Sequence, residues 1–151
     1  MKKVYLADND IGDSGIRELG TLPKLETLDI SRNLFRPTVL QQIAAPHQFK
    51  SLRHLNVSAN RLRASHLQVM KGKESIDSLN ASGNPIGGET FDPPVNAKEL
   101  GLTWTQLTTV SAQAMSKYQQ LNTLDIRFNS DIHPIYGQFI QSASPIKNVK
   151  I

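Results

Sequence analysis

The side chains that most often carry catalysis or hold metals are few in this sequence and are not arranged for either task. The chain has no cysteine, so it offers neither a thiol nucleophile nor a disulfide. Its histidines are His47, His54, His66 and His133. Their separations do not match the short spacing of metal ligands. Ser58 and Ser82 lack a histidine and a carboxylate placed to activate a nucleophile. The sequence therefore predicts no enzymatic activity, no cofactor and no metal.

The residues with the strongest potential for chemistry are those that bind other molecules. Trp104, Arg127 and Phe128 belong to the types that dominate the energetics of protein interfaces. Two interpretations are open for Trp104, since it either contacts a partner or packs against its own loop. The choice depends on the elements that position these side chains.

A nine-residue pattern, L-x-x-L-x-L-x-x-N, recurs along the chain. It reads LETLDISRN from Leu25, LRHLNVSAN from Leu52, IDSLNASGN from Ile76 and LNTLDIRFN from Leu121. Looser copies begin at Met1, Ala97 and Ile146. The closing position is filled by Asn9, Asn33, Asn60, Asn84, Thr105 and Asn129, at intervals of 21 to 27 residues. This interval is typical of leucine-rich repeats, whose period is roughly 20–29 residues.

Each copy of the pattern predicts a short strand followed by a turn. Alternate side chains of a strand point to opposite faces, so Leu28 and Ile30 face one side while Asp29 faces the other. A single strand cannot bury its apolar side, whereas stacked repeats share a core. The amide of the closing Asn both donates and accepts hydrogen bonds, and it can therefore satisfy backbone groups of the turn. We expect one domain over residues 1–151, an α/β leucine-rich-repeat solenoid. It should form an arc with about seven parallel strands on its concave face.

The segments between the strands should run along the convex side. Apolar residues at helical spacing, with capping residues or Pro before them, predict short helices. The predicted ranges are 13–19, 37–44, 64–70, 111–115 and 134–141. In the last of these, Tyr136, Phe139 and Ile140 are expected to reach the core. The fourth repeat carries Gly87, Gly88, Pro93 and Pro94, so an extended return is predicted there.

The segment from Asn9 to Leu19 reads N-x-I-G-x-x-G-x-x-x-L. It resembles the ribonuclease-inhibitor-like leucine-rich repeats and is similar to their bacterial GALA-type relatives. Such helix-bearing repeats also resemble those of secreted effectors of intracellular bacterial pathogens. Gly15 has few counterparts in later repeats, and the fourth repeat departs from the pattern. The resemblance implies an arc that binds a protein partner on its inner sheet, and it leaves that partner unnamed.

The concave face of the arc, called here the open face, can be assigned from the phase of the strands. Its middle column is predicted to contain Tyr5, Asp29, Asn56, Asn80 and Asp125, and the next column His54 and Glu99. Trp104, Arg127 and Phe128 follow where the strands end. These ten residues are the candidate partner-binding residues. Asp29 and Asp125 lie four repeats apart, so they cannot act as a catalytic carboxylate pair. Seven strands give a face about 30 Å long, enough for a standard interface of about 800 Å² per partner.

A net charge of +4 and a pI near 9.5 raise the question of nucleic acid. A surface that follows a phosphate backbone should be dominated by Lys and Arg. The open face instead mixes both signs, and Lys71, Lys73 and Lys117 are predicted to lie on the convex side. The mixed charge favours a protein partner over a nucleic acid. No apolar run is long enough to span a membrane.

Two hypotheses for function remain open. In the first, the chain is a bacterial effector or inhibitor that occludes the active site of an enzyme, a step that rests on the resemblance alone. In the second, it is an adaptor or recruiting module whose catalytic or targeting region lies outside these residues. Strands predicted at both chain ends indicate a fragment of a longer repeat protein or, as the less favoured alternative, ends that a partner covers. Asp8, Asn9 and Asp10 interrupt any signal-peptide core. We therefore expect the protein in the cytoplasm, or secreted by a bacterium into a host cytosol without a classical signal peptide.

Overall fold

The computed structural model describes residues 1–151 and contains one sheet of seven parallel strands. The strands are β1 (Lys3–Tyr5), β2 (Thr27–Asp29), β3 (His54–Asn56), β4 (Ser78–Asn80), β5 (Glu99–Gly101), β6 (Thr123–Asp125) and β7 (Asn148–Lys150). Their order in the sheet is their order in the sequence. Each strand has only three residues because the repeat pattern supplies one central apolar position before the turn begins. The predicted solenoid of stacked repeats is confirmed.

The return segments form five short α-helices on one side of the sheet, and their predicted positions are confirmed. They are α1 (Asp13–Leu19), α2 (Thr38–Ala44), α3 (Ala64–Leu67), α4 (Thr109–Met115) and α5 (Pro134–Ala143). A 3-10 helix, Gln68–Gly72, continues α3. The fourth return has no helix, as its Gly and Pro content predicts. No helix of the fold is long and apolar enough to cross a bilayer.

The repeats share one core between the sheet and the returns. Its 35 buried apolar residues form a single continuous cluster, so no repeat is stable as an isolated unit. The central strand residues Leu28, Leu55 and Leu79 pair across neighbouring strands and are at most 2% exposed. The in-register leucines place every other strand side chain on the open face.

The Asn at the end of each pattern forms a ladder that runs through the turns. The side chain of Asn84 is fully buried, and its Oδ1 accepts the N–H groups of Asn60 and Leu62, both at 2.9 Å. Its Nδ2 donates to the carbonyls of Val57 (3.1 Å) and Ala81 (2.9 Å). Asn60 and Asn129 make equivalent bonds. Asn33 donates in the same way but accepts only the N–H of Asn9. Because each Asn accepts from the preceding repeat, the ladder fixes the register of one repeat on the next.

Thr105 interrupts this ladder and is tolerated because the preceding turn has a different shape. Its hydroxyl donates to the carbonyl of Leu102 at 2.7 Å. In the third repeat the N–H of Leu62 donates to the side chain of Asn84. The equivalent N–H of the fourth repeat, that of Ile86, donates instead to the backbone carbonyl of Asn84 at 2.8 Å. Pro85 lies between these two residues, so the fourth repeat satisfies its own amide locally.

The extended fourth return is held by one carboxylate. The carboxylate of Asp92 accepts hydrogen bonds from the hydroxyl of Tyr118, from Nζ of Lys71 (2.9 Å) and from Nε2 of Gln68 (3.2 Å). Lys117 lies 3.6 Å from the same carboxylate. The hydrogen bonds from Tyr118, Lys71 and Gln68 hold the pKa of Asp92 well below its ordinary value. Asp92 therefore ties the helix-free repeat to the repeats on both sides.

Lys73 lies on the helical side, as predicted, but it is buried there rather than exposed. Only 7% of the residue is accessible, and its Nζ donates to the carbonyl of Gln48 at 2.6 Å. Burial lowers the pKa of the Lys73 ammonium. The bond joins the third repeat to the long loop after α2.

The prediction that Tyr136 and Phe139 reach the core is wrong, whereas Ile140 is fully buried. Helix α5 turns Gly137 and Ile140 inward. A Cβ on Gly137 would lie only 1.7 Å from the side chain of Ile151, so a larger residue there would have to displace that partly exposed side chain. With that face inward, Tyr136 and Phe139 remain exposed on the helical side.

Candidate functional site

The candidate residues of the middle column lie side by side on the open face. Strand pairing aligns Tyr5 with Asp29, Asn56, Asn80, Gly101, Asp125 and Lys150 in that order. The neighbouring column aligns His54, Ser78 and Glu99. The open face is therefore a regular grid of side chains fixed by the backbone, as the strand phase predicts. Their role in binding stays a prediction.

The middle column also has a structural role that was not predicted. The carboxylate of Asp29 accepts the N–H of Ser31 at 2.9 Å, and that of Asp125 accepts the N–H of Arg127 at 3.3 Å. Asn56 and Asn80 accept the N–H groups two residues ahead in the same way, both at 3.1 Å. An Asp or Asn side chain that accepts this amide forms an Asx turn. These side chains are consequently held in one orientation before any partner arrives. The signal in the sequence is the D-x-S or N-x-S triplet, which occurs in three of these four strands; Asp125 is followed by Arg127 in place of Ser.

Gly101 interrupts the middle column and leaves a depression of about 390 Å³ in the open face. A Cβ at this position would lie 2.9 Å from Oδ1 of Asn80, so a larger residue would displace its neighbour. Polar side chains line the depression, among them Glu99, Asp125 and Lys150. It is shaped to accept a polar side chain of a partner rather than an apolar one.

Trp104 and Phe128 form a stacked pair three residues beyond the middle column, past the ends of β5 and β6. Their ring centroids lie 5.0 Å apart and their planes differ by 15°. Both side chains are largely accessible, with 66% of Trp104 and 61% of Phe128 exposed. Trp104 thus packs on the ring of the neighbouring repeat and leaves most of its surface accessible. Two adjacent exposed aromatic residues are the kind of anchor that dominates protein interfaces.

Arg127 supports this aromatic pair and is itself held in place. Its guanidinium lies 5.8 Å from the ring centroid of Phe128, within the range of a cation–π contact. Nε and Nη2 donate to the two carboxylate oxygens of Asp125, at 2.9 and 2.7 Å. The hydrogen bond from Arg127 lowers the pKa of Asp125. The pair is therefore charged and preorganised at neutral pH.

The backbone beneath the aromatic pair is strained. Trp104 has φ of 56° and Phe128 has φ of 61°, in the left-handed region that bulky residues rarely adopt. Asp8, Arg32, Ala59 and Gly83 occupy the equivalent position of their repeats, also with positive φ. We call these six residues the rim row. The turn imposes this conformation on the first six repeats. Only the fifth and sixth repeats place an aromatic residue in it.

The ten candidate residues separate into two groups along the solenoid. Glu99 and Asp125 line the depression on β5 and β6, and Trp104, Arg127 and Phe128 follow the ends of the same two strands. Tyr5 is exposed on β1, roughly 20 Å away by strand spacing. Asp29 on β2 also lies toward the N-terminal half, with His54 and Asn56 on β3 and Asn80 on β4 between the two groups. No cluster of three His, Asp or Glu side chains capable of holding a metal occurs.

Comparison with known proteins supports the repeat class. Residues 1–20 match the sequence model of a family described as Leucine Rich repeat. No curated protein matches the chain significantly. The match covers the first strand, its closing Asn9 and α1, and the later strands pair in the same register. The stacked repeats, the Asn ladder and the match at the N-terminus together identify the fold as a leucine-rich-repeat solenoid.

Proposed function

We propose that this chain is a protein-interaction module that binds a partner protein through the open face and performs no catalysis of its own. Solenoids of this kind present extended surfaces that bind other proteins. The observation that carries the proposal is the exposed Trp104–Phe128 stack. The polar depression at Gly101 lies on the strands that precede this stack, on a face that the backbone has already ordered.

Preorganisation is the physical basis of the proposed binding. Association costs free energy for every side chain that must be ordered, roughly 0.5–1.5 kcal/mol each. The Asx turns at Asp29 and Asn56 and the ion pair of Arg127 with Asp125 already hold these groups. A partner that matches the grid therefore binds with little further ordering.

The finer hypothesis is that the module occludes the active site of an enzyme, as a bacterial effector or inhibitor related to the ribonuclease-inhibitor-like and GALA-type repeats. It would then act in the bacterial cytoplasm or in the cytosol of a host. The alternative is an adaptor that recruits its partner to a catalytic or targeting region elsewhere. Both hypotheses use the same open face, and neither requires a cofactor or a nucleic acid.

The test begins with affinity capture on the immobilised chain and identification of the bound protein by mass spectrometry. Binding of that protein is then measured for Trp104→Ala and for Phe139→Ala, a matched exposed aromatic residue on the helical side. We expect Trp104→Ala to weaken binding by about 2 kcal/mol or more and Phe139→Ala to leave it unchanged. The opposite pattern would place the interface on the helical side and contradict the proposal.

A second measurement separates inhibitor from adaptor. If the captured protein is an enzyme, its activity is titrated with the chain to saturation. Loss of activity at one-to-one stoichiometry supports occlusion of the active site. Full activity in the saturated complex rules out occlusion and leaves the adaptor hypothesis.

A further inference from the structure

The rim row repeats one backbone geometry from strand to strand, and this regularity predicts where the aromatic stack can be extended. Trp104 and Phe128 have nearly the same φ and lie on adjacent repeats. Their ring centroids are 5.0 Å apart, close to the spacing of neighbouring strands, about 4.8 Å. One translation along the solenoid therefore relates the two rings. A further translation toward the N-terminus leads to Gly83.

At Gly83 this next stacking position is vacant. Gly83 shares the left-handed conformation of the row, with φ of 68°, but has no side chain. The three atoms nearest to a Cβ built on it all belong to Ala59, at 3.6 to 3.7 Å. Beyond Ala59 the row continues with Arg32. Phe128 covers one face of the Trp104 ring, and with 66% of Trp104 exposed the face toward Gly83 is accessible.

We propose that the gap over Gly83 receives an aromatic side chain of the partner protein, stacked on the side of the Trp104 ring that Phe128 does not cover. The inference rests on the proposed function, since it names the chemistry of the group that the open face recognises. Aromatic rings stack with offset at centroid distances of about 4.5–7 Å, and the strand spacing supplies this distance. The partner ring would become the third member of the stack that Phe128 and Trp104 begin.

Charge within the rim row itself favours a protein side chain over a nucleotide base. Arg61, exposed two residues after the rim residue of the third repeat, lies outside the row, and the test below therefore includes an oligonucleotide. A base would bring a phosphate, which requires a free cation nearby. Arg32, the only cation of the row, donates Nε and Nη2 to the carboxylate of Asp8, both at 2.6 Å. Arg127 is paired with Asp125 in the same way. An uncharged aromatic side chain needs no cation beside it.

The test fills the gap with a side chain of the protein itself. Gly83→Phe places a ring at φ of 68°, close to the value at which Phe128 already stands in the same row. Gly83→Ala is the matched control, because it imposes the same backbone restraint without a ring. Urea unfolding of both variants checks that each one folds.

The probe is a random-peptide display library selected on the wild-type chain. We expect the selected peptides to share an aromatic residue, to bind Gly83→Phe roughly tenfold or more weakly and to bind Gly83→Ala normally. Binding should also change the fluorescence of Trp104, the only tryptophan in the chain.

Other outcomes distinguish the two proposals. Peptides that lose affinity on Trp104→Ala but bind Gly83→Phe normally, or that share arginine in place of an aromatic residue, would overturn the stacking inference and leave binding by the open face intact. Peptides insensitive to both Trp104→Ala and Gly83→Phe, or the recovery of no peptide, would count against the proposed function as well. Quenching of Trp104 by oligothymidylate at physiological salt, with weaker binding to Gly83→Phe, would assign the gap to a nucleotide base.

Discussion

Replacement of Trp104 by glycine tests whether the aromatic pair is kept for folding or for binding. A bulky residue in the left-handed conformation costs about 1–2 kcal/mol, and glycine at the same position removes that cost. The stack with Phe128, at 5.0 Å, contributes about 0.5–1.5 kcal/mol. The greater freedom of glycine in the unfolded chain costs a further 0.5–1 kcal/mol or so. These effects nearly cancel, so we expect Trp104→Gly to change the free energy of unfolding by less than about 1 kcal/mol.

The comparison with alanine sharpens this prediction. Trp104→Ala loses the stack but keeps a side chain in the left-handed conformation, so it should be no more stable than Trp104→Gly. Leu102→Ala, two residues away and fully buried, is the control for a core position and should cost about 2–5 kcal/mol.

The assay is urea unfolding followed by far-UV circular dichroism, because the substitution removes the only tryptophan of the chain. Midpoints are compared at constant slope. A loss above about 2 kcal/mol for Trp104→Gly, close to that of Leu102→Ala, would show that the pair holds the fold together. It would also remove the main support for a binding role.

Two further predictions concern the turns and the returns. Asn84→Ala leaves the buried N–H groups of Asn60 and Leu62 and the carbonyl of Ala81 without their side-chain partner. At about 1–3 kcal/mol for each unpaired group, Asn84→Ala should lower the free energy of unfolding by about 3 kcal/mol or more. Asn9→Ala, at the exposed end of the ladder, should lower it by only about 1 kcal/mol. Equal losses for the two variants would contradict the ladder argument. Asp92 has a lowered pKa in the folded state, so its contribution is present above the unfolded value of about 4 and is lost as pH falls through the folded value. The stability difference between the wild type and Asp92→Asn should therefore be largest near neutral pH and shrink below about pH 4, and a difference that grows with acid would refute this.

The strand positions, the common core and the Asn ladder could be predicted from the sequence because the same pattern of apolar residues and a closing Asn recurs in successive repeats. Leu28, Leu55 and Leu79 are separated by one period and meet in one layer of the core. A single copy would be ambiguous between strand and helix, whereas repetition removes the ambiguity. The same reasoning placed Trp104 and Phe128 in one row, and their stacking follows from the strand spacing.

The contacts of the return segments could not be predicted in this way, because they depend on residues that occur only once. Asp92 gathers Tyr118, Lys71 and Gln68 from two neighbouring repeats, and no periodic signal links these positions. Lys73 is buried because the long second repeat brings the carbonyl of Gln48 to it.

The rim row shows how the fold and the candidate site are connected. Every rim residue in the row is left-handed, and Gly83 and Ala59 satisfy that requirement at little or modest steric cost. The turn therefore gives no reason to select an aromatic residue, and Trp104 and Phe128 bear the strain while remaining about two-thirds exposed. Strain retained at an exposed position without a gain in core packing is typical of functional sites. The row thus presents its two rings, and the gap beside them, as features that folding alone does not explain.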